Sequence, residues 1–198
     1  MRTGIIARKP EPFSWDGLPA LPMDNLLWSP PVPISAEAKL CYDGDAIYVL
    51  LSAQEPHIRA EHTGRLGMPC EDSCLEFFFS PVPGDSRYLN IECNPNGCLY
   101  LGLGSGARTL VRLLPEDVPI QPQPRRTANG WAVEYSVPTV FVRRFFPEFS
   151  PAPGGSIRAN CYKCGDLTPQ PHYLSWNPVA SPEPDFHRPA DFGILYFE

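Results

Sequence analysis

Apolar and polar residues alternate along much of this chain with the period of two that marks half-buried β-strands. In Tyr88-Leu89-Asn90-Ile91-Glu92-Cys93-Asn94, the residues Leu89, Ile91 and Cys93 share one face, and Tyr88, Asn90, Glu92 and Asn94 share the other. Trp131, Val133, Tyr135 and Val137 alternate in the same way through Gly130–Pro138. Further strands are predicted over 38–42, 46–54, 71–79, 98–103, 156–164 and 195–197. Asp43-Gly44-Asp45 and Pro95-Asn96-Gly97 read as hairpin turns, with Gly44 expected to supply positive φ in the first. Residues 141–149 read as one short helical turn, and 115–124 as a long Pro-rich connection. About eight short strands with almost no helical periodicity predict an all-β fold, a two-sheet antiparallel β-sandwich of immunoglobulin-like or jelly-roll-like form. No internal repeat is evident.

Composition agrees with that reading. The 26 prolines in 198 residues fall mostly between the predicted strands, which leaves little room for helix. They recur every few residues from Lys9 to Pro33, among Phe13, Trp15, Leu18, Leu21, Leu26, Leu27 and Trp28. Residues 1–37 are therefore expected to form a Pro-rich N-terminal arm packed on a domain spanning 38–198, because so many exposed bulky groups would aggregate. The net charge of -6 offers no footprint for nucleic acid. No apolar run approaches the ~18 residues of a membrane span, and residues 1–9 lack the apolar core of an export signal, so no membrane partner and a cytoplasmic location are expected. Seven cysteines, an odd number lying mostly in strand-like runs, fit reduced thiols better than a disulfide framework.

Candidate chemistry starts from Glu76, a carboxylate in the middle of the apolar run Cys74-Leu75-Glu76-Phe77-Phe78-Phe79. Burying it alone would cost several kcal/mol (roughly), so it has to meet water, a partner charge, a metal or a ligand. Strand alternation puts Glu76 on one face with Cys74 and Phe78, and a short turn would make the Tyr88/Asn90/Glu92 strand its antiparallel neighbour. Carboxylates, carboxamides and a phenol on one face suit a polyhydroxylated ligand; the alternative is an ordinary solvated face. A glycosidase reading is weaker, since two carboxylates on adjacent strands point the same way instead of flanking a bond. Calcium held by Glu76, Glu92 and Asp72 has suitable oxygen ligands, but no acidic loop of fixed spacing accompanies them. The Cys161-x-x-Cys164 pair faces opposite ways on a strand, which argues against a shared metal even with His172 as a third ligand.

Five ordered blocks then carry a resemblance. They are Asp72-Ser73-Cys74-Leu75-Glu76-Phe77-Phe78, Tyr88–Asn94 with Gly97, Asn160–Asp166, Ser175-Trp176-Asn177-Pro178, and Asp185-Phe186-His187-Arg188-Pro189 with Asp191-Phe192-Gly193. Together, from about residue 38 to 198, the chain resembles the family 9-like carbohydrate-binding modules. The resemblance implies a β-sandwich related to the DOMON group and a non-catalytic domain that recognises a small saccharide or saccharide end, of a kind associated with glycoside hydrolases and carbohydrate catabolism. It matches Glu76 to the family's ligand-binding Glu and the Asn90/Glu92 strand to the neighbouring binding strand, calls for no cofactor, and allows a structural calcium; Tyr88, from the same polar face, and Phe186 complete the candidate ligand-binding residues. Met68-Pro69-Cys70 stands where a tryptophan platform is expected, the second platform falls near Phe186, and Trp176 reads as core. The alternatives are an interaction domain using the Pro-rich arm, a glycosidase using Glu76 and Glu92, or a thiol enzyme using Cys74.

Overall fold

The computed structural model describes residues 1–114 and 119–198. Fourteen strands account for nearly all of the regular structure: β1 (Thr3–Arg8), β2 (Ala20–Pro22), β3 (Asn25–Leu27), β4 (Ser35–Tyr42), β5 (Ala46–Gln54), β6 (Cys74–Ser80), β7 (Tyr88–Cys93), β8 (Leu99–Gly104), β9 (Val111–Arg112), β10 (Gln123–Thr127), β11 (Gly130–Pro138), β12 (Ser156–Cys164), β13 (Tyr173–Ser175) and β14 (Gly193–Phe197). Their hydrogen-bonded order is β10-β11-β5-β4-β1-β14-β12-β6-β7-β8-β9; β2 is added on β4, β13 on β12, and β3 on β13. This continuous sheet curls as a half-barrel around one core. Leu40, Val49, Leu51 and Val133 from one end of the order meet Leu75, Phe77, Ile91 and Leu195 from the other.

The expected antiparallel architecture needs correction at β1. This strand runs parallel to both neighbours, pairing with β14 through residues 3–6 and with β4 through Ala7 and Arg8. The sheet is therefore mixed. Residues 3–8 are a joint between its two halves instead of part of an arm laid over it, because buried Ile6 belongs to the core. The rest of the Pro-rich segment divides. Leu21 and Met23 are buried, whereas Phe13 and Leu26 stay exposed.

Other boundaries shift for local reasons. β6 begins at Cys74, not Glu71, because residues 69–71 form a 3-10 turn. The Asp72 carboxylate accepts the amides of Glu61 and His62 at 2.9 and 2.8 Å, which ties this corner to a loop instead of a ladder. Gly44 does not take positive φ. Asp43 closes that hairpin by accepting the amides of Asp45 and Ala46 at 2.9 and 3.0 Å, an Asx-type turn that needs no left-handed residue. Gly97, by contrast, sits at φ 76° in the second hairpin, where other residues would be strained. The short helix α1 spans Thr139–Val142, slightly earlier than predicted. Of the Pro-rich connection 115–124, residues 115–118 lie outside the described residues, and Gln123 and Pro124 open β10.

Candidate functional site

The predicted alternation of β6 and β7 holds: Leu75, Phe77, Leu89, Ile91 and Cys93 enter the main core. Their neighbours Cys74, Glu76, Phe78, Asn90 and Glu92 therefore share the outer face. Glu76 is directly opposite Glu92 on β7 and Tyr162 on β12, while Cys74 is directly opposite Cys164. Tyr100 of β8 in turn faces Glu92.

This face is not solvated. Trp28, Phe186 and Phe192 fold over it and build a second apolar cluster with Phe78, Tyr88 and Tyr162. Phe186 stacks on Tyr162 with centroids 4.1 Å apart, and the Trp28 indole N–H donates to the Ser181 carbonyl at 2.7 Å. Glycines keep the far side low. A Cβ at Gly104 would lie 2.7 Å from the Leu110 backbone, so the loop bearing Leu110 could not close there over a larger residue. Beyond these lids a cleft of about 310 Å³ remains. Glu76 and Glu92 line it together with Trp28, Tyr100, Asp166, Tyr173 and Phe186.

The cleft is short of positive charge. Among the described residues, neither Glu76 nor Glu92 forms an ion pair. Burial, and then the neighbouring Glu92, push the Glu76 carboxyl well above the usual range, opposed by the Cys164 thiol, which donates to Oε1 at 3.0 Å. Burial pushes Glu92 up to about 7; the Asn90 amide, donating at 2.9 Å, opposes this, Asp166 adds to it, and Arg112 opposes it. Burial also raises Asp166, with Tyr173 opposing.

A folded pKa above the unfolded one means that the folded state holds its proton more tightly. The stability from Glu92 is therefore complete below the unfolded value of about 4.3 and is lost as pH rises through about 7. Glu92→Gln is expected to melt higher than the parent at pH 8 and nearly with it at pH 4.5, by up to about 3 kcal/mol. Paired melting curves across that range check it, and equal melting points at pH 8 would contradict it.

Three of the five residues proposed from the sequence, Glu76, Glu92 and Phe186, line the cleft. Asn90 and Tyr88 lie beneath it, fully buried. Asn90 orients Glu92, and the Tyr88 hydroxyl bonds His187 Nδ1 at 2.9 Å. Asp72 is engaged by backbone amides and does not line the cleft, so the oxygen set considered for calcium is not assembled there. Trp176 is core, as read from the sequence. Cys161 and Cys164 do face opposite ways, one into each apolar cluster. Sequence reasoning missed Trp28, Tyr100, Asp166 and Tyr173. Trp28 was visible only as one bulky residue of a Pro-rich segment, and nothing local linked it to Phe186.

The chain is thus a curled β-sheet that carries an aromatic-walled, carboxylate-floored cleft. A sequence profile described as carbohydrate-binding family 9 matches residues 8–197, and the chain belongs to that family. Among solved structures, a candidate carbohydrate-binding protein from Bacteroides uniformis is 26% identical, with a TM-score of 0.84 over 100% of this chain and 99% of that one. Two structures of a family 9 module from Caldicellulosiruptor kristjanssonii, one with cellotriose and one with glucose, share the fold. Each has a TM-score of 0.70 at 12% identity, over 100% of this chain and 94% and 96% of theirs. No curated protein matches the chain. By family it is a non-catalytic carbohydrate-binding domain. No helix among the described residues is long and apolar enough to cross a membrane.

Proposed function

We propose that the chain binds a small saccharide, or the end of a longer one, in the Glu76–Glu92 cleft, and that its curled sheet is the two-layer sandwich of the family. The observation that carries this reading is the pair of adjacent buried carboxylates without a cationic partner, on the floor of a cleft walled by Trp28, Tyr100, Tyr173 and Phe186. Vicinal hydroxyls donate to carboxylates, and aromatic rings cover the C–H faces of a sugar. The volume sits at the low end of the roughly 300–1,000 Å³ of small-molecule sites, which favours one or two sugar units over a chain in a groove. Cellotriose and glucose, held by the related module, are the first ligands to try. Glu76 and Glu92 stand side by side on neighbouring strands, an arrangement that suits hydrogen bonding to one sugar and not the flanking attack of a glycosidase.

Isothermal titration with glucose, cellobiose and cellotriose tests the proposal. Trp28→Ala should weaken binding about tenfold, the worth of ~1.4 kcal/mol, if the indole covers a sugar face. Absence of heat and of any melting shift across the panel would overturn it.

A further inference from the structure

Glu76 is flanked by two thiols whose placement the saccharide reading leaves unused. Cys74 and Glu76 lie two residues apart on β6 and so on one face, and Cys164 of β12 pairs directly with Cys74. The Cys164 thiol reaches Glu76 Oε1 at 3.0 Å. One ligand atom from each residue lies within 4.8 Å of the other two. Tetrahedral zinc with Zn–S bonds of ~2.3 Å holds its sulfurs roughly 3.8 Å apart, so the trio needs only sub-ångström to ångström adjustments to close on an ion.

A second feature points the same way. Cys74 is fully buried and Glu76 and Cys164 are 2% exposed, yet the latter two line the cleft, which gives an ion a path in. The same pocket holds Glu92 beside Glu76 and lacks any ion pair to either carboxylate among the described residues. Buried carboxylates without a counter-charge are what a divalent ion would neutralise, and two sulfurs select a soft one.

We infer that Cys74, Cys164 and Glu76 form a binding site for one thiophilic divalent cation of the zinc class. Binding displaces one proton from each thiol, and any proton on Glu76, to the solvent, leaving two thiolates and a carboxylate on the ion. Three protein ligands leave a fourth position for water or another oxygen from the cleft side. The inference shares Glu76 with the saccharide reading but does not rest on it, and its test contains no sugar.

The reduced full chain is titrated with zinc against a chromogenic chelator, and with cobalt(II) as a spectroscopic probe. One equivalent should bind, and cobalt should show the near-ultraviolet thiolate charge-transfer band that oxygen-only sites lack. Cys164→Ser and Cys74→Ser should each lose the band and weaken zinc at least tenfold. Should a serine variant fail to fold, alkylation of the unmodified chain followed by peptide mass mapping replaces it. Zinc should then slow the labelling of Cys74 and Cys164, which react only as the fold opens, by more than it slows that of Cys41 on β4, away from the cleft. No stoichiometric binding, cobalt binding without the thiolate band, zinc affinity unchanged in the serine variants, or a Cys74–Cys164 disulfide in the reduced preparation would each overturn the inference.

Discussion

Lys163→Met is expected to destabilise the folded chain by about 3–5 kcal/mol, the usual cost of stranding one member of a buried ion pair. Lys163 projects from β12 toward the main core and is fully buried. Its ammonium lies 3.3 Å from Glu55 Oε2 and donates to His172 Nε2 at 2.7 Å and to the Cys164 carbonyl at 2.8 Å. Glu55 also accepts from the Trp131 indole at 2.6 Å and the Ser73 hydroxyl at 2.9 Å. Methionine fills the space of the lysine stem but leaves the carboxylate without its cation. Thermal melting should therefore fall by roughly 6–20 °C, given 2–4 °C per kcal/mol for a domain of this size. Adding Glu55→Gln to the same chain should recover most of the loss, because the orphaned charge is then gone. A single variant that melts with the parent would mean that Lys163 reaches water.

The same network sets an acid limit. Lys163 requires His172 to be neutral, with its other nitrogen donating to the Gln170 carbonyl at 2.9 Å. Burial, and then the Lys163 charge, lower His172 to about 4. A histidine with a depressed folded pKa binds fewer protons in the folded state. Its contribution is therefore present above about 6.5 and is lost as pH falls toward 4. This runs opposite to the Glu92 effect, so the stability of the parent should peak between the two.

Glu76→Gln is expected to weaken saccharide binding by about 1.5–3 kcal/mol, roughly ten- to 150-fold, while leaving the melting temperature at neutral pH unchanged or higher. The two effects part because Glu76 has no cationic partner to strand. Its burden in the free protein is desolvation beside Glu92, which an amide does not carry. A merely structural Glu76 would behave in the opposite way, losing stability and keeping affinity. Calorimetric titration of the tightest sugar against both proteins, with their melting curves, separates the cases. Equal affinities would remove Glu76 from the binding surface.

The direction of each strand side chain is a local property, and the sequence alone determined it. Period-two alternation put Glu76 with Cys74 and Phe78, and Glu92 with Asn90, on the face away from the core; the structure keeps that arrangement. Most strands and the second hairpin were equally legible, because alternation and turn residues act over a few positions. What covers that face was not legible. A polar alternation reads as solvated, yet Trp28 and Phe186, from opposite ends of the chain, meet over it with centroids 5.4 Å apart and turn it into a cleft. β1 escaped notice because a short Ile-Ile run has no alternation, and its parallel partners, β14 and β4, lie far off in sequence. Lys163 looked like one more strand residue until Glu55 arrived from the neighbourhood of β5 to neutralise it. Only the tertiary structure set the register that puts Cys164 against Cys74, and with it the thiol pair beside Glu76. The backbone of a strand fixes which way a side chain points, but its partners are chosen by long-range pairing, whose free energy is shared over the whole sheet and written in no single segment.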